Sequence, residues 1–187
     1  MMMELLHWFQ KGLTFDEYLH SMNVYKEETL YILNEFELTE EEQQQAEMLQ
    51  QHKLKAIVLT MDWCGDAMLN IPILLNIAAT AHIDVRFLLR DDHLELMDQY
   101  LTNETSRSIP IFIFIDEQGN EWAVWGPRAA PIQKLVSEEQ AKLPNKDALN
   151  FKEKQQEMIK HLVSSYQKKS HLWREISTSI IETVKKK

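Results

Sequence analysis

The 187-residue chain has one cysteine, four glycines and five prolines. One cysteine excludes an internal disulfide and a zinc site built from several thiolates. No apolar run approaches the ~18 residues that a membrane-spanning helix needs. The first ten residues lack the cationic start and the apolar stretch of a signal peptide. We therefore expect a cytoplasmic protein with no membrane partner.

Basic residues are also scarce, with 20 Lys and Arg against 29 Asp and Glu and a net charge of −9. Nucleic-acid binding needs basic surface, so we expect no nucleic-acid partner. The seven histidines include no i, i+4 pair, and there is no Gly-rich phosphate loop. We expect neither a metal nor a cofactor. An apolar fraction of 44% is enough to bury a core.

Residues 1–53 are predicted to form an N-terminal helical extension. Thr14 with Glu17, and Thr39 with Glu42, have the spacing of capping boxes. In such a box the hydroxyl accepts a backbone N–H at the start of a helix, and the glutamate accepts another. Apolar residues then recur at helical spacing.

Residues 54–144 are predicted to form an α/β core of order β-α-β-α-β-β-α. The predicted strands are Lys55–Met61, Asp84–Leu89, Ile111–Ile115 and Glu121–Trp125, and the predicted helices run over about 64–81, 92–101 and 131–142. The last two strands flank turn residues and indicate a hairpin. Unbroken apolar strands are typical of a sheet covered by helices on both faces.

Residues 145–187 are predicted to form a C-terminal helical segment, as one long helix or two in line. Its apolar residues lie three, four and seven apart, but Lys169 interrupts the seam. We favour packing against the N-terminal helices over a dimer through the C-terminal helix.

The single cysteine, Cys64, lies between the first strand and the following helix. The amides and dipole of a helix N-terminus favour the nucleophilic thiolate. The neighbouring Asp62 and Asp66 act against it, since a carboxylate disfavours a second negative charge. The sequence leaves this balance open.

The chain resembles the thioredoxin family at five landmarks. They are Trp63-Cys64-Gly65 at the strand-to-helix junction, Pro72 within the helix, Ile109-Pro110 before the hairpin, Gly119 in its turn and Gly126 after it. The resemblance covers about residues 54–142. It implies a thioredoxin-like mixed four-stranded sheet, a nucleophilic Cys64, and a cis Pro110 facing the thiol.

Two positions depart from the family pattern. Ala67 stands where thioredoxins have the resolving cysteine, which releases the mixed disulfide formed by the first. Val58 stands where they have a buried aspartate that assists proton transfer. A dithiol cycle within this chain is therefore excluded.

Three interpretations remain open. The first is a bacterial monothiol redox protein in which Cys64 forms a mixed disulfide with a protein or a low-molecular-weight thiol, resolved by an outside thiol. The second is a non-catalytic peptide- or protein-binding module with a degenerate site. The third is that Ala67 was introduced in place of cysteine. The predicted substrate groove consists of Trp63, Gly65, Asp66, Ile109, Pro110 and Gly126, with Trp125 close to it.

Overall fold

The computed structural model describes residues 4–185. Residues 1–3 and 186–187, the outer ends of the two predicted extensions, lie outside the described residues.

In the described part of the chain, four α-helices and one 3-10 turn, Gln50–His52, precede the first strand. Thr14 and Thr39 each accept the backbone N–H of the glutamate three residues later, at 3.2 Å, while that glutamate's carboxylate accepts the threonine's backbone N–H. Both predicted capping boxes are therefore formed. The helices are α1 Leu5–Lys11, α2 Phe15–Ser21, α3 Lys26–Glu35 and α4 Glu40–Leu49.

A four-stranded mixed sheet forms the centre of the molecule. The strands are β1 Lys55–Thr60, β2 Asp84–Leu89, β3 Ile111–Ile115 and β4 Glu121–Trp125. Their order is β2-β1-β3-β4. The helix α5, Gly65–Ala81, connects β1 to the parallel strand β2, and β3 and β4 pair antiparallel. This is the predicted α/β architecture.

The core lies on both faces of the sheet. Every residue of β3, and β1 from Ala56 onward, is buried. The N-terminal segment reaches the outer edge of the sheet, where Leu13 and Phe87 exchange backbone hydrogen bonds of 2.8 and 2.9 Å. The Tyr18 ring of α2 stacks on Phe87 with ring centres 4.8 Å apart.

The predicted helix from Asp92 to Leu101 is much shorter in the structure. A 3-10 turn covers Arg90–Asp92, and α6 covers only Leu94–Met97. His93 between them has φ −134° and ψ 46°, which is not helical. After α6 the chain turns, and Thr102 pairs with Ser106. Because of these two turns, the apolar spacing here does not produce one continuous helix.

Three helices follow the hairpin, α7 Ala130–Gln140, α8 Phe151–Lys168 and α9 Ser170–Lys185. The C-terminal segment is thus two helices that meet at Lys169, which has φ −99° and ψ 77°. The helix α9 packs against α4, α5 and β4. Glu42 of α4 accepts hydrogen bonds from Arg174 and Ser177 of α9.

Candidate functional site

The Cys64 loop, residues 61–64, joins the buried end of β1 to the first turn of α5. The backbone N–H of Cys64 donates to the Met61 carbonyl at 3.3 Å, and α5 begins at Gly65. The Cys64 side chain does not cap the helix. Its thiol donates instead to the Ile109 carbonyl at 3.4 Å. The Ile109–Pro110 peptide bond is cis.

The Cys64 thiol is buried and is held in its protonated form. Only 9% of the residue is exposed. Burial, followed by the nearby Asp66 carboxylate, raises the pKa of the Cys64 thiol to about 11. The backbone N–H groups of Ala67 and Asp66 and the Arg128 guanidinium favour the thiolate, but with smaller effect. Burial therefore raises the pKa of the Cys64 thiol more than the N–H groups of the helix N-terminus lower it.

Asp62 contributes to the architecture of the loop. Its carboxylate accepts the backbone N–H groups of Asn23 and Val24 at 2.7 and 3.3 Å. It thereby attaches the Cys64 loop to the connection between α2 and α3. The adjacent Trp63 is 49% exposed, and the Arg90 guanidinium lies 5.2 Å from its ring centre.

Asp66, in the first turn of α5, connects this helix to the segment after β4 and to α8. Its Oδ2 accepts from Nε and Nη2 of Arg128 at 2.9 and 2.7 Å. Its Oδ1 accepts from the Tyr166 hydroxyl of α8 at 3.0 Å. Burial and the Asp66 carboxylate raise the pKa of Tyr166, so its hydroxyl keeps its proton. We call these three residues the Asp66 cluster.

A cleft of about 270 Å³ separates the Cys64 loop from α8. Trp63, Cys64, Gly65 and Asp66 line one wall of this thiol cleft. The other wall is mostly apolar and is formed by α8, chiefly through Met158, Leu162 and Val163. A Cβ placed on Gly65 would lie 3.0 Å from Val163 Cγ2, so the two walls touch there.

The predicted groove residues do not all share one surface. Ile109 and Pro110 are buried, and the Ile109 carbonyl is occupied by the Cys64 thiol. Ala67 is buried in the first turn of α5. Gly126 lies against Pro110, and its exposed side lines a separate cavity of about 400 Å³ with Ile111 and Val124.

Trp125, which we expected near the groove, is buried in the core. Its ring stacks on Phe112 with centres 5.0 Å apart, and its Nε1 donates to the Ser179 hydroxyl at 2.9 Å. Because α9 accepts this N–H, the indole is held under that helix, while the next residue, Gly126, lies against Pro110.

Sequence reasoning missed Arg128, Tyr166 and Val163. Arg128 carried one usable signal, since it follows the Gly126 landmark by two residues. The α8 residues carried none, because apolar spacing marks a buried face without saying what covers it. Among residues 4–185, no group of three or more His, Cys, Asp or Glu side chains is placed to hold a metal ion. Within the same range, no helix is long and apolar enough to cross a membrane.

The strand order is β2-β1-β3-β4, in which β1 pairs parallel with β2 and the other pairs are antiparallel. This sheet, with a cysteine at the start of the first helix after β1, is typical of the thioredoxin-like class. A family model described as Thioredoxin matches residues 12–143. The chain therefore belongs to the thioredoxin family. The match begins just before α2, so it includes the helices α2 to α4 as well as the sheet.

Two solved structures share the fold over nearly the whole chain. A crystal structure of an HIV epitope scaffold superposes with a TM-score of 0.69 and 12% identity, covering 97% of this chain and 98% of that one. A protein of unknown function from Pseudomonas aeruginosa gives a TM-score of 0.65 and 14% identity, covering 89% and 96%. No curated protein matches the chain. At these identities the two structures show a shared fold.

Proposed function

We propose that this chain is a thioredoxin-fold binding module whose degenerate site receives an apolar segment of a peptide or protein partner. The observation that carries the proposal is the state of Cys64. Its thiol is buried and donates a hydrogen bond to the Ile109 carbonyl, and the pKa of the thiol is raised to about 11. At neutral pH such a sulfur is almost entirely the protonated, non-nucleophilic form.

The losses at two other positions support the same function. Ala67 provides no second sulfur, and Val58 is fully buried in β1 between Phe87 and Phe112, where it cannot accept a proton. The resolving sulfur and the buried carboxylate of a dithiol cycle are therefore absent, and the remaining thiol is protonated. The fold around these three positions is retained.

The thiol cleft has the dimensions and the chemistry for an apolar side chain. Its volume of about 270 Å³ is slightly below the roughly 300–1,000 Å³ of small-molecule sites. The apolar residues of α8 line the cleft together with the half-exposed Trp63. The polar groups of the Asp66 cluster already bond one another. Apart from Gln140 and Gln155, the rest of the lining outside the Cys64 loop is apolar and suits an apolar group.

Thiol kinetics test the first half of the proposal. A pKa of about 11 instead of about 9 lowers the thiolate fraction at neutral pH by about 100-fold. We expect Cys64 to react with 5,5′-dithiobis(2-nitrobenzoate) at least about 100-fold more slowly than a free model thiol. A native rate equal to that of the model thiol would contradict the proposal.

An apolar fluorescent probe tests the second half. We expect 8-anilinonaphthalene-1-sulfonate to bind the native protein, and Met158→Trp, which fills the thiol cleft, to abolish that binding. Val124→Trp is the matched control, because Val124 lines the separate cavity beside Gly126. Equal probe binding by wild type and Met158→Trp would rule out the cleft as the site.

A second candidate is monothiol exchange in a reducing bacterial cytoplasm. It is favoured by the Asp66 and Ala67 backbone N–H groups, which lower the pKa of Cys64 against the effect of burial. The Cys64 thiolate would attack a disulfide, form a mixed disulfide and expel one thiolate. An outside thiol such as glutathione would then release Cys64, since position 67 has no sulfur. A fast native reaction in the kinetic experiment would select this function.

A further inference from the structure

The helix α8 is the least buried of the three long helices of the described chain. It has 18 residues, of which Leu162, Ser165 and Tyr166 are buried. The helix α9 has 16 residues and buries seven of them. Most of the α8 surface therefore faces solvent, and detaching α8 would uncover few core side chains.

The helix α8 packs against α5, α7 and α9, and its contacts with α5 lie at the candidate site. Val163 packs against Gly65, and the Tyr166 hydroxyl donates to Asp66 at 3.0 Å. Met158 and Leu162 form the wall of the thiol cleft that faces Cys64. One side of α8 therefore covers the Cys64 loop.

The two ends of α8 are suited to movement of the helix as a unit. Residues 141–150, which connect it to α7, form turns with short-range backbone hydrogen bonds such as Ala148 N–H to Asn145 at 2.9 Å. At the other end Lys169 interrupts the helical backbone. The Trp173 indole donates to the Tyr166 carbonyl at 2.7 Å and attaches this end to α9.

We propose that α8 is a self-inhibitory cover that pivots near Lys169 and must open before a partner reaches Cys64. The proposal rests on the proposed function only in that the partner binds at the Cys64 loop: the closed thiol cleft admits an apolar group, and the Cys64 sulfur is reached only when α8 has moved. Opening breaks the Tyr166–Asp66 hydrogen bond and separates Val163 from Gly65. A site that is open only part of the time binds with an affinity reduced by the open fraction.

The rate of Cys64 modification measures opening. The thiolate attacks 5,5′-dithiobis(2-nitrobenzoate), forms a mixed disulfide and releases one 2-nitro-5-thiobenzoate anion, while the thiol proton passes to buffer. Because Tyr166→Phe removes a hydrogen bond to a charged group, we expect this variant to react about tenfold faster than wild type. We also expect the wild-type rate to depend on urea much less steeply than global unfolding does.

The matched control is Ser177→Ala, which removes a buried hydrogen bond between α9 and α4 away from the Cys64 loop. We expect it to lower global stability without removing a hydrogen bond of α8, so its rate of Cys64 modification should equal that of wild type. If Ser177→Ala and Tyr166→Phe accelerate the reaction in proportion to their losses of global stability, Cys64 is exposed by global unfolding and the cover is disproved.

Amide hydrogen exchange of the wild-type protein separates this proposal from the proposed function. It detects opening without any thiol reagent or ligand. We expect the α8 amides to exchange through an opening of lower free energy than those of α5 and α9. Equal protection of all three helices would refute the cover, whether or not the thiol cleft binds an apolar probe.

Discussion

At the scale of single residues, Cys64 shows how packing can reverse a local electrostatic preference. The start of α5 presents N–H groups that favour the thiolate, as the sequence suggests. The same sulfur is buried, hydrogen-bonded to Ile109 and close to the Asp66 carboxylate. Since removing a charge from water has a large free-energy cost, burial determines the protonation state.

Among the four glycines, Gly126 is the one at which an added side chain would meet the closest neighbour. Its φ is +127°, and a Cβ there would overlap the Pro110 carbonyl oxygen. We expect Gly126→Ala to lower the free energy of unfolding by about 2–4 kcal/mol, through the backbone conformation and the overlap together. Urea unfolding followed by circular dichroism measures this change.

Gly65→Ala is the control for that substitution. Gly65 has no positive φ, and its one close neighbour is the Val163 methyl group. We expect Gly65→Ala to lower the free energy of unfolding by less than about 1 kcal/mol, because the Val163 methyl group can shift. Similar losses in both variants would contradict the role assigned to Gly126.

At the scale of elements, the sheet and α5 are predictable because the residues that specify each element lie within its own stretch of sequence. Val58 and Phe112 lie in uninterrupted apolar runs, and the turn between Asp116 and Asn120 specifies the hairpin. The docking of α8 is not predictable in this way. Residues 141–150 separate it from the core, and no residue near Val163 specifies which surface it covers.

The contact between α5 and α8 can be tested through Gly65 and Val163. An added Cβ in Gly65→Ala presses on Val163, so we expect Cys64 to react several-fold faster with the disulfide reagent. In Gly65→Ala with Val163→Ala the new methyl group has room, and the rate should return toward that of wild type. This predicts a coupling energy of about 1 kcal/mol in the double-mutant cycle.

Additive effects of the two substitutions would show that residues 65 and 163 act independently. Val163→Ala alone provides the fourth corner of the cycle. Circular dichroism of all four proteins establishes that the comparison is made between folded states.

At the scale of the whole molecule, a small number of polar groups connects elements that are distant in sequence. Asp66 unites α5, the segment after β4 and α8 through Arg128 and Tyr166. Tyr18 connects α2 to the end of β1 through Thr60, at 3.1 Å. These contacts require the complete fold, and this is why neither Arg128 nor Tyr166 was found from local patterns.

The buried Cys64 thiol and Tyr18 hydroxyl make the stability of the whole molecule sensitive to alkaline pH. Burial raises the pKa of Cys64 from 9.0 to about 11 and that of Tyr18 from 10.0 to about 12. Each group keeps its proton longer in the folded protein than in the unfolded chain. Its stabilising contribution is therefore complete below the unfolded pKa and is lost as the pH rises through the folded pKa.

We therefore expect the free energy of unfolding to fall steeply above about pH 9, by about 2–3 kcal/mol for each of these two groups once both are ionised. Urea unfolding at a series of pH values from about 8 to 12 measures the decline. Tyr18→Phe removes one ionisable hydrogen from the core, so its decline should be shallower between about pH 10 and 12. If wild type and Tyr18→Phe lose stability in parallel over that interval, the buried Tyr18 hydroxyl is not a source of the alkaline sensitivity, and groups elsewhere in the molecule must account for it.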